Sequence, residues 1–236
     1  MPDAETLIPA EPSGAASSDA SAAPVRKRPK PGDRRVQILQ ALASMLEQPG
    51  AERITTAALA ARLDVSEAAL YRHFASKAQM FEGLIEFIEQ TVFTLVNQIA
   101  EREGAAEAAV PSGAAQTVEG GAQAGVRHAG KVVAMLIQFA EKNPGMTRVM
   151  VGDALVFENE RLQQRMNQFF DKVESILRQS LRGPALQNGS GQPTVDAQVG
   201  ASVMTAFVAG RLQRFARSGF KRLPSEHLEA SLAQML

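Results

Sequence analysis

Apolar residues recur along this chain at the three- and four-residue spacing of amphipathic helices, and alternating strand patterns are hard to find. About nine helices are expected, so the predicted fold class is all-α. Their predicted positions are 33–46, two short helices within 55–74, 77 to about 103, about 126–143, one or two short pieces within 146–157, 158–181, 194 to about 217, and 224 to the end.

The same spacing predicts which side chains face inward and where the loops lie. The first helix is expected to bury Val36, Leu39, Ala43 and Leu46. Thr194 is the expected cap of the helix that follows it, whose predicted inward residues are Val199, Val203, Met204, Phe207, Leu212 and Phe215. The Ala- and Gly-rich segment 103–125 and the polar segment 183–193 are predicted to be loops.

The segment 55–74, TTAALAARLDVSEAALYRHF, predicts a helix-turn-helix. Leu59 and Leu63 lie on one face of its first helix, and Asp64 occupies the turn, where a residue that tolerates left-handed backbone is needed. Ser66 is a good N-cap for the second helix. Small residues at the start of that helix allow close approach to a major groove about 12 Å wide. Two short helices joined by a turn also occur in proteins that never bind DNA.

Each DNA-facing residue has a predicted role. The hydroxyl of Thr55 or Thr56 is expected to hold phosphate, as groups at helix N-termini do. Tyr71 is the only tyrosine; it contacts phosphate, sugar or a thymine methyl, unless it merely covers Phe74. The remaining candidates are small base-edge readers and charged or imidazole side chains near phosphate: Ser66, Ala68, Ala69, Arg72, His73 and Lys77.

Charge is segregated along the chain although its formal total is zero. Residues 26–77 hold 10 basic and 5 acidic residues, a net of +5, with a basic arm at 26–35. The first 25 residues hold 4 acidic and no basic residues, and 78–236 holds 15 basic and 16 acidic ones. A positive patch beside the motif favours phosphate binding, whereas the arm alone would be typical of a solvated tail.

Composition excludes several classes of protein. The sequence has no cysteine, which rules out disulfides, thiolate zinc sites and a cysteine nucleophile. No histidine cluster has metal-ligand spacing, and no nucleophile–base pair or phosphate loop stands out, so we expect no metal, no cofactor and no enzymatic activity. No apolar run approaches 20 residues, and Met1–Pro24 lacks the apolar core of a secretory signal, so a cytoplasmic protein without a membrane span is expected.

The motif and its flanks resemble the TetR family of bacterial regulators. The run 71–77, YRHFASK, carries this resemblance, and only Ala75 departs from it, at a position where the family often has proline. The segments 84–89 (LIEFIE) and 143–163, which starts with NPGMTR, are further similar to the nucleoid occlusion factors within that family. Together with the run RITT at 53–56, these segments carry a resemblance that extends over 53–220, most of the expected ordered chain.

The resemblance implies a TetR-like organisation and an unusual activity. Composition and charge predict a disordered tail and basic arm at 1–32, and the resemblance implies a helix-turn-helix domain at 33–77 and a helical dimerisation and partner-binding domain at 78–236. Such proteins bind palindromic chromosomal sites as dimers, associate with the nucleoid and antagonise polymers of the division protein FtsZ, with DNA as the effector. The implied partner surface includes Phe87, Lys142 and Asn143; alternatively, these are a core residue, a solvated charge and a helix cap.

One helix-turn-helix reads few base pairs, so two copies about 34–36 Å apart are expected. The helices at 194–217 and 225–236 are the predicted homodimer faces, with small residues for close approach at Gly200, Ala201, Ala206, Ala209 and Gly210. The main alternative function is a ligand-responsive TetR-type repressor. Its effector pocket would be lined by apolar residues of the C-terminal domain: Met135, Phe139, Met150, Phe157, Met166 and Phe170.

Overall fold

A computed structural model describes residues 33–48, 54–108, 118–187 and 191–236. Over these residues the chain forms nine α-helices, one 3₁₀ turn (Asp153–Leu155) and no strand, which confirms the expected all-α fold. The helices in chain order are α1 (Asp33–Leu46), α2 (Thr56–Arg62), α3 (Glu67–Tyr71), α4 (Lys77–Ala108), α5 (Val118–Lys142), α6 (Pro144–Met150), α7 (Glu160–Gln187), α8 (Pro193–Arg217) and α9 (Leu228–Met235). The predicted tail and basic arm at 1–32 lie outside the described residues.

Helices α1 to α3 form a small N-terminal unit around the start of α4. The side chains that hold it together are almost fully buried: Ile38, Leu42, Leu46, Leu59, Leu70, Phe74 and Phe81. Each fully buried leucine or phenylalanine contributes about 1.5–3 kcal/mol relative to an exposed one. This core fixes how α3 is presented to solvent.

In the C-terminal unit, α7 packs along both α5 and α8, and the long α4 packs against α5 and α7. Phe169 lies at its centre, fully buried, with its ring 5.5 Å from that of Phe93 and 5.2 Å from that of Phe170. Ion pairs join α4 to both neighbouring helices. Glu89 of α4 binds Arg165 of α7 at 2.6 Å, and Glu103 of α4 binds Lys131 of α5 at 2.9 Å. None of the described helices has an apolar stretch of the length needed to cross a membrane.

Among the residues that the structure describes, three connections join the two units. Helix α4 is continuous from the motif into the C-terminal unit. Helix α6 packs against α1, where Gly145 lies so close that a Cβ on it would be 1.9 Å from the carbonyl oxygen of Ala43. Finally, the Lys77 ammonium pairs with the carboxylate of Glu158, just before α7. The recognition unit is therefore fastened to the C-terminal unit at three separate points.

Both predicted loops proved too long. Helix α4 continues to Ala108 and α5 begins at Val118, so much of 103–125 is helical. Helix α7 extends to Gln187 through Pro184, into the segment predicted as the second loop. Tertiary packing explains these differences, because Gly125 of α5 lies against the carbonyl of Ser180 on α7, where a Cβ would come within 2.1 Å of the oxygen.

The predicted inner faces are partly wrong. Val36 is 49% exposed, because α1 buries Ile38 and Leu42 instead. On α8, Val199 and Val203 are 56% and 49% exposed, so this helix has a second apolar side that the described residues of one chain leave uncovered.

Two helix starts also differ from the prediction. Helix α8 begins at Pro193, with Gln192 rather than Thr194 in the N-cap position. Helix α9 begins at Leu228, because His227 adopts a left-handed backbone (φ 54°) immediately before it.

Candidate DNA interface and partner surface

The backbone of the helix-turn-helix agrees with its sequence residue by residue. Thr55 is the N-cap of α2, where its side chain accepts a hydrogen bond from the Ala58 amide at 3.1 Å. Asp64 has a left-handed φ of 54°, as the turn requires. Ser66 is the N-cap of α3 and accepts from the Ala69 amide at 3.3 Å. The cap at Ser66 and the turn at Asp64 thus agree with the prediction, whereas the cap at Thr55, for which a phosphate contact was expected, is a finding of the structure.

Thr56 connects the two helices of the motif. Its hydroxyl donates to the carboxylate of Glu67, at the start of α3, at 2.6 Å. Since a hydroxyl has one proton, Thr56 can donate to phosphate only if this bond breaks. Thr55 uses only its acceptor capacity in the cap, so its proton remains available. Of the two threonines, Thr55 is therefore the better phosphate donor in this conformation.

The predicted base-contacting residues lie together on the outer side of α3. Ser66, Ala68 and Arg72 are exposed, Ala69 is partly exposed, and Tyr71 exposes 45% of its surface. Leu70 and Phe74, by contrast, are buried, so the helix has a distinct inner side. The short α3 thus presents small residues at its N-terminal end and longer polar ones at its C-terminal end.

Arg35 fixes the far end of the recognition helix, which the sequence did not indicate. Its Nη1 donates to the backbone carbonyl of His73 at 2.7 Å, and its guanidinium lies 4.2 Å from the centre of the Phe74 ring. Arg35, rather than Tyr71, is therefore positioned over Phe74. The sequence marked this arginine only as part of a basic arm, because nothing local indicates a bond across 38 residues.

Lys77 is partly exposed at the first position of α4, but its ammonium is engaged by Glu158. The Glu158 side chain is only 11% exposed and that of Lys77 29%. The partners are 81 residues apart, so sequence patterning offered no signal for this pair. His73, the other predicted phosphate contact, is partly buried, and its backbone carbonyl rather than its ring has a described bond.

The implied partner residues lie in the first half of α4, at the end of α5 and at the junction between α5 and α6. Glu103, late in α4, binds Lys131 in mid-α5, and the end of α4 forms a shallow groove with the first turns of α5. The helices therefore run antiparallel, which brings the C-terminal end of α5 toward the first half of α4. Phe87 lies in that half and is 43% exposed, so it is not a core residue.

Lys142 is exposed as the last residue of α5. Asn143 occupies the N-cap position of α6, and its amide donates to the Phe139 carbonyl at 2.7 Å. Its backbone carbonyl accepts from the buried hydroxyl of Thr147 at 3.1 Å. Asn143 thus organises the α5–α6 junction, in agreement with the structural alternative, while Lys142 remains free to reach outward.

Three of the six apolar residues considered for an effector pocket share one groove in the described part of the chain. Met150, Met166 and Phe170 line an open groove of about 660 Å³ together with Ala206 and Gly210 of α8. The other three do not line this groove, and Phe157 exposes 61% of its surface.

This fold and motif define a DNA-binding regulator of the bacterial TetR type. Residues 38–84 match the family described as bacterial regulatory proteins, tetR family. The fold is shared with the transcriptional regulator FadR from Bacillus subtilis in complex with stearoyl-CoA (TM-score 0.61, 13% identity, covering 85% of this chain and 96% of that one). FadR from Bacillus halodurans is similar at a TM-score of 0.60, with 14% identity over 88% and 96% of the two chains.

Relatives of higher sequence identity show to which branch of the TetR family the chain belongs. Residues 122–236 match the SlmA-like tetracyclin repressor-like C-terminal domain. The chain is 46% identical over 198 residues to the nucleoid occlusion factor SlmA of Idiomarina loihiensis, covering 84% of this chain and 91% of that one. It is 48% identical over 201 residues to SlmA of Vibrio vulnificus strain YJ016, covering 85% and 92%. The chain therefore belongs to the SlmA nucleoid occlusion factors of the TetR family, which are regulators and not enzymes.

Proposed function

We propose that this protein is a nucleoid-associated inhibitor of cell division, which binds palindromic chromosomal sites as a dimer and there antagonises assembly of FtsZ. The observation that carries the proposal is the joint presence of an exposed recognition face on α3 and a SlmA-type C-terminal unit fastened to it. An ordinary repressor needs the first feature, whereas a DNA-coupled antagonist needs both.

DNA binding is expected to use α3 in the major groove, with Thr55, Arg72, His73 and Lys77 near phosphate and Ser66, Ala68, Ala69 and Tyr71 near base edges. Selection from a randomised duplex pool by the purified protein would test this. We expect a two-fold symmetric consensus whose half-sites are about one helical turn apart. An asymmetric consensus, or no enrichment, would contradict the proposed mode of binding.

The dimer is proposed to form through the uncovered side of α8. Val195, Val199 and Val203 are each about half exposed and four residues apart, and Ala206 and Gly210 extend the same side. Such an apolar stripe suits pairing with its own copy across a two-fold axis. Gly200 and Ala201 are not part of it, since Gly200 faces Leu181 and Ala201 is fully buried.

Val199→Asp tests this interface. The carboxylate would be buried without a partner in the dimer but exposed in the monomer, so light scattering should report a monomer with unchanged helicity. The control is Gln98→Asp on the exposed side of α4, which should leave the mass at that of a dimer. A dimeric Val199→Asp protein would exclude the α8 interface.

FtsZ is proposed to dock where the first half of α4 meets the end of α5, on Phe87 and Lys142, with Asn143 shaping the junction between α5 and α6. Phe87→Ala and Lys142→Glu should each weaken FtsZ binding in the presence of DNA without changing DNA affinity. Leu223→Ala, which truncates an apolar side chain that is 48% exposed between α8 and α9, is the control. Equal losses for Phe87→Ala and Leu223→Ala would contradict this surface.

A ligand-responsive repressor remains the alternative function. It is supported by the groove lined by Met150, Met166 and Phe170. That groove is open and contiguous with the proposed dimer stripe through Ala206 and Gly210, so a second chain accounts for it without a small molecule.

A further inference from the structure

One ion pair spans the boundary between the recognition unit and the C-terminal unit. Lys77 begins α4, six residues after the end of the recognition helix, and Glu158 lies between the 3₁₀ turn and α7. The carboxylate side chain is nearly buried at 11% exposure, whereas the lysine retains 29%. Glu158 is therefore held by its surroundings, and Lys77 is the partner with room to move.

The position of Lys77 favours an anionic partner. It lies in the first turn of a 32-residue helix, where the helix dipole is positive and disfavours an ammonium group. No acidic residue of α4 lies in that turn, so the compensating charge comes from Glu158, across the unit boundary. A DNA phosphate would supply the same charge from the opposite side.

We propose that Glu158 restrains Lys77 in the free protein and that DNA binding exchanges this carboxylate for a backbone phosphate. Glu158 then acts as a positioning residue, which sets DNA affinity through Lys77 without touching DNA. The inference rests on the proposed DNA binding. The exchange adds a free-energy cost to DNA binding, because one ammonium group cannot pair at full strength with both the Glu158 carboxylate and a phosphate.

The exchange also transmits DNA occupancy to the C-terminal unit. Losing Lys77 leaves Glu158 without this ion pair, in the segment between the 3₁₀ turn and α7, where Val156 is 60% exposed. Because binding equilibria that share a bond are reciprocally linked, any partner that prefers the released segment would bind DNA-bound protein more tightly. The long, flexible side chain of lysine permits the switch without movement of the helix.

The test is a double-mutant cycle on DNA affinity. Glu158→Gln, Lys77→Gln and the double variant are titrated with a duplex selected by the wild-type protein and with a scrambled duplex, between about 50 and 200 mM KCl. Glu158→Gln should tighten binding about two- to fivefold, the range of a partly exposed ion pair. Lys77→Gln should weaken binding and reduce the salt slope by about 0.9, the value of one phosphate contact. In the Lys77→Gln background, Glu158→Gln should change nothing.

Glu160→Gln is the matched control, because it removes the same charge from an exposed residue two positions away. If Glu158→Gln has no effect, or if it tightens binding equally with and without Lys77, the proposal is wrong. A tightening by Glu160→Gln of the same size would also overturn it, since a general loss of negative charge would then suffice. Failure of the wild-type protein to bind any duplex would instead refute the proposed function.

A charge exchange separates this role from a purely structural one. The variant Lys77→Glu/Glu158→Lys restores an ion pair between the units but places an acid near DNA. Its melting temperature should stay close to that of wild type, while its DNA affinity falls below that of Lys77→Gln. DNA affinity that follows stability across all variants would show that the pair only supports the fold. Comparing the melting temperature and the DNA affinity of this charge-exchanged variant also tests the proposal if Glu158→Gln does not fold.

Discussion

Gly145 lies where α6 of the C-terminal unit meets α1 of the recognition unit, and Gly145→Ala tests how tightly the two are joined. A Cβ at this position would be 1.9 Å from the carbonyl oxygen and 2.8 Å from the carbonyl carbon of Ala43. Both atoms belong to the backbone of a helix, so no side-chain rotation can relieve the contact. The two helices must separate.

The size of the effect follows from these distances. Restoring ordinary van der Waals separation requires a shift of about 1.5 Å between α1 and α6. Overpacking of this kind costs about 1–3 kcal/mol. For a chain of this size, the melting temperature should therefore fall by about 2–12 °C. Because α1 also positions α3 through Arg35, DNA affinity should fall along with stability.

Gly104→Ala is the matched control for the same chemical change. Gly104 lies in α4, and nothing surrounds the place that its Cβ would occupy. Alanine should there stabilise the helix by about 0.5–1 kcal/mol. Urea denaturation followed by circular dichroism measures both variants. If Gly145→Ala is as stable as wild type, the close α1–α6 contact does not exist and the reasoning fails.

Three further predictions follow from single contacts. Ser66→Ala removes the cap of α3 and should cost about 0.5–2 kcal/mol in urea denaturation. Thr147→Val leaves the Ala140 carbonyl, which accepts from the buried threonine hydroxyl at 2.8 Å, without that donor; a cost of about 1–3 kcal/mol should appear in thermal melts. Tyr71→Phe should weaken binding to the selected duplex about two- to tenfold at unchanged stability. Wild-type midpoints for the first two, or wild-type affinity for the third, would contradict the assigned contacts.

Local patterns were sufficient to predict the helix-turn-helix of α2, the turn and α3. The cap at Ser66 and the left-handed backbone at Asp64 depend on neighbouring residues, and both agree with the structure. The burial of Ile88 and Val92 in α4 follows in the same way from helical spacing. In such segments the residue types, the periodicity and the turn chemistry favour the same structure.

The ends of the long helices could not be predicted, because distant contacts override local signals there. Pro184 and nearby glycines indicate a loop, yet α7 continues because Leu181 and Ala185 are buried. Gly125 allows α5 to cross close to α7. Helix propensity alone would instead predict that the helix is interrupted at this glycine. Glycine and proline therefore gave wrong predictions of loops where packing between helices determined the structure.

Only part of the candidate site could be predicted from the sequence. The exposed face of α3 follows from periodicity, but the engagement of Lys77 by Glu158 and the bond from Arg35 to His73 join distant parts of the chain. Similarly, helical spacing marked Val199 as apolar but could not distinguish an inward side from a second, outward one.

The most direct test of the central claim is sedimentation of GTP-polymerised FtsZ with the purified protein, with and without a palindromic duplex selected by it. A scrambled duplex of equal length is the control for polyanion effects. Pelleted FtsZ should decrease only when both the protein and the selected duplex are present. An unchanged pellet in every condition, or an equal decrease without DNA, would contradict a DNA-activated antagonist of FtsZ.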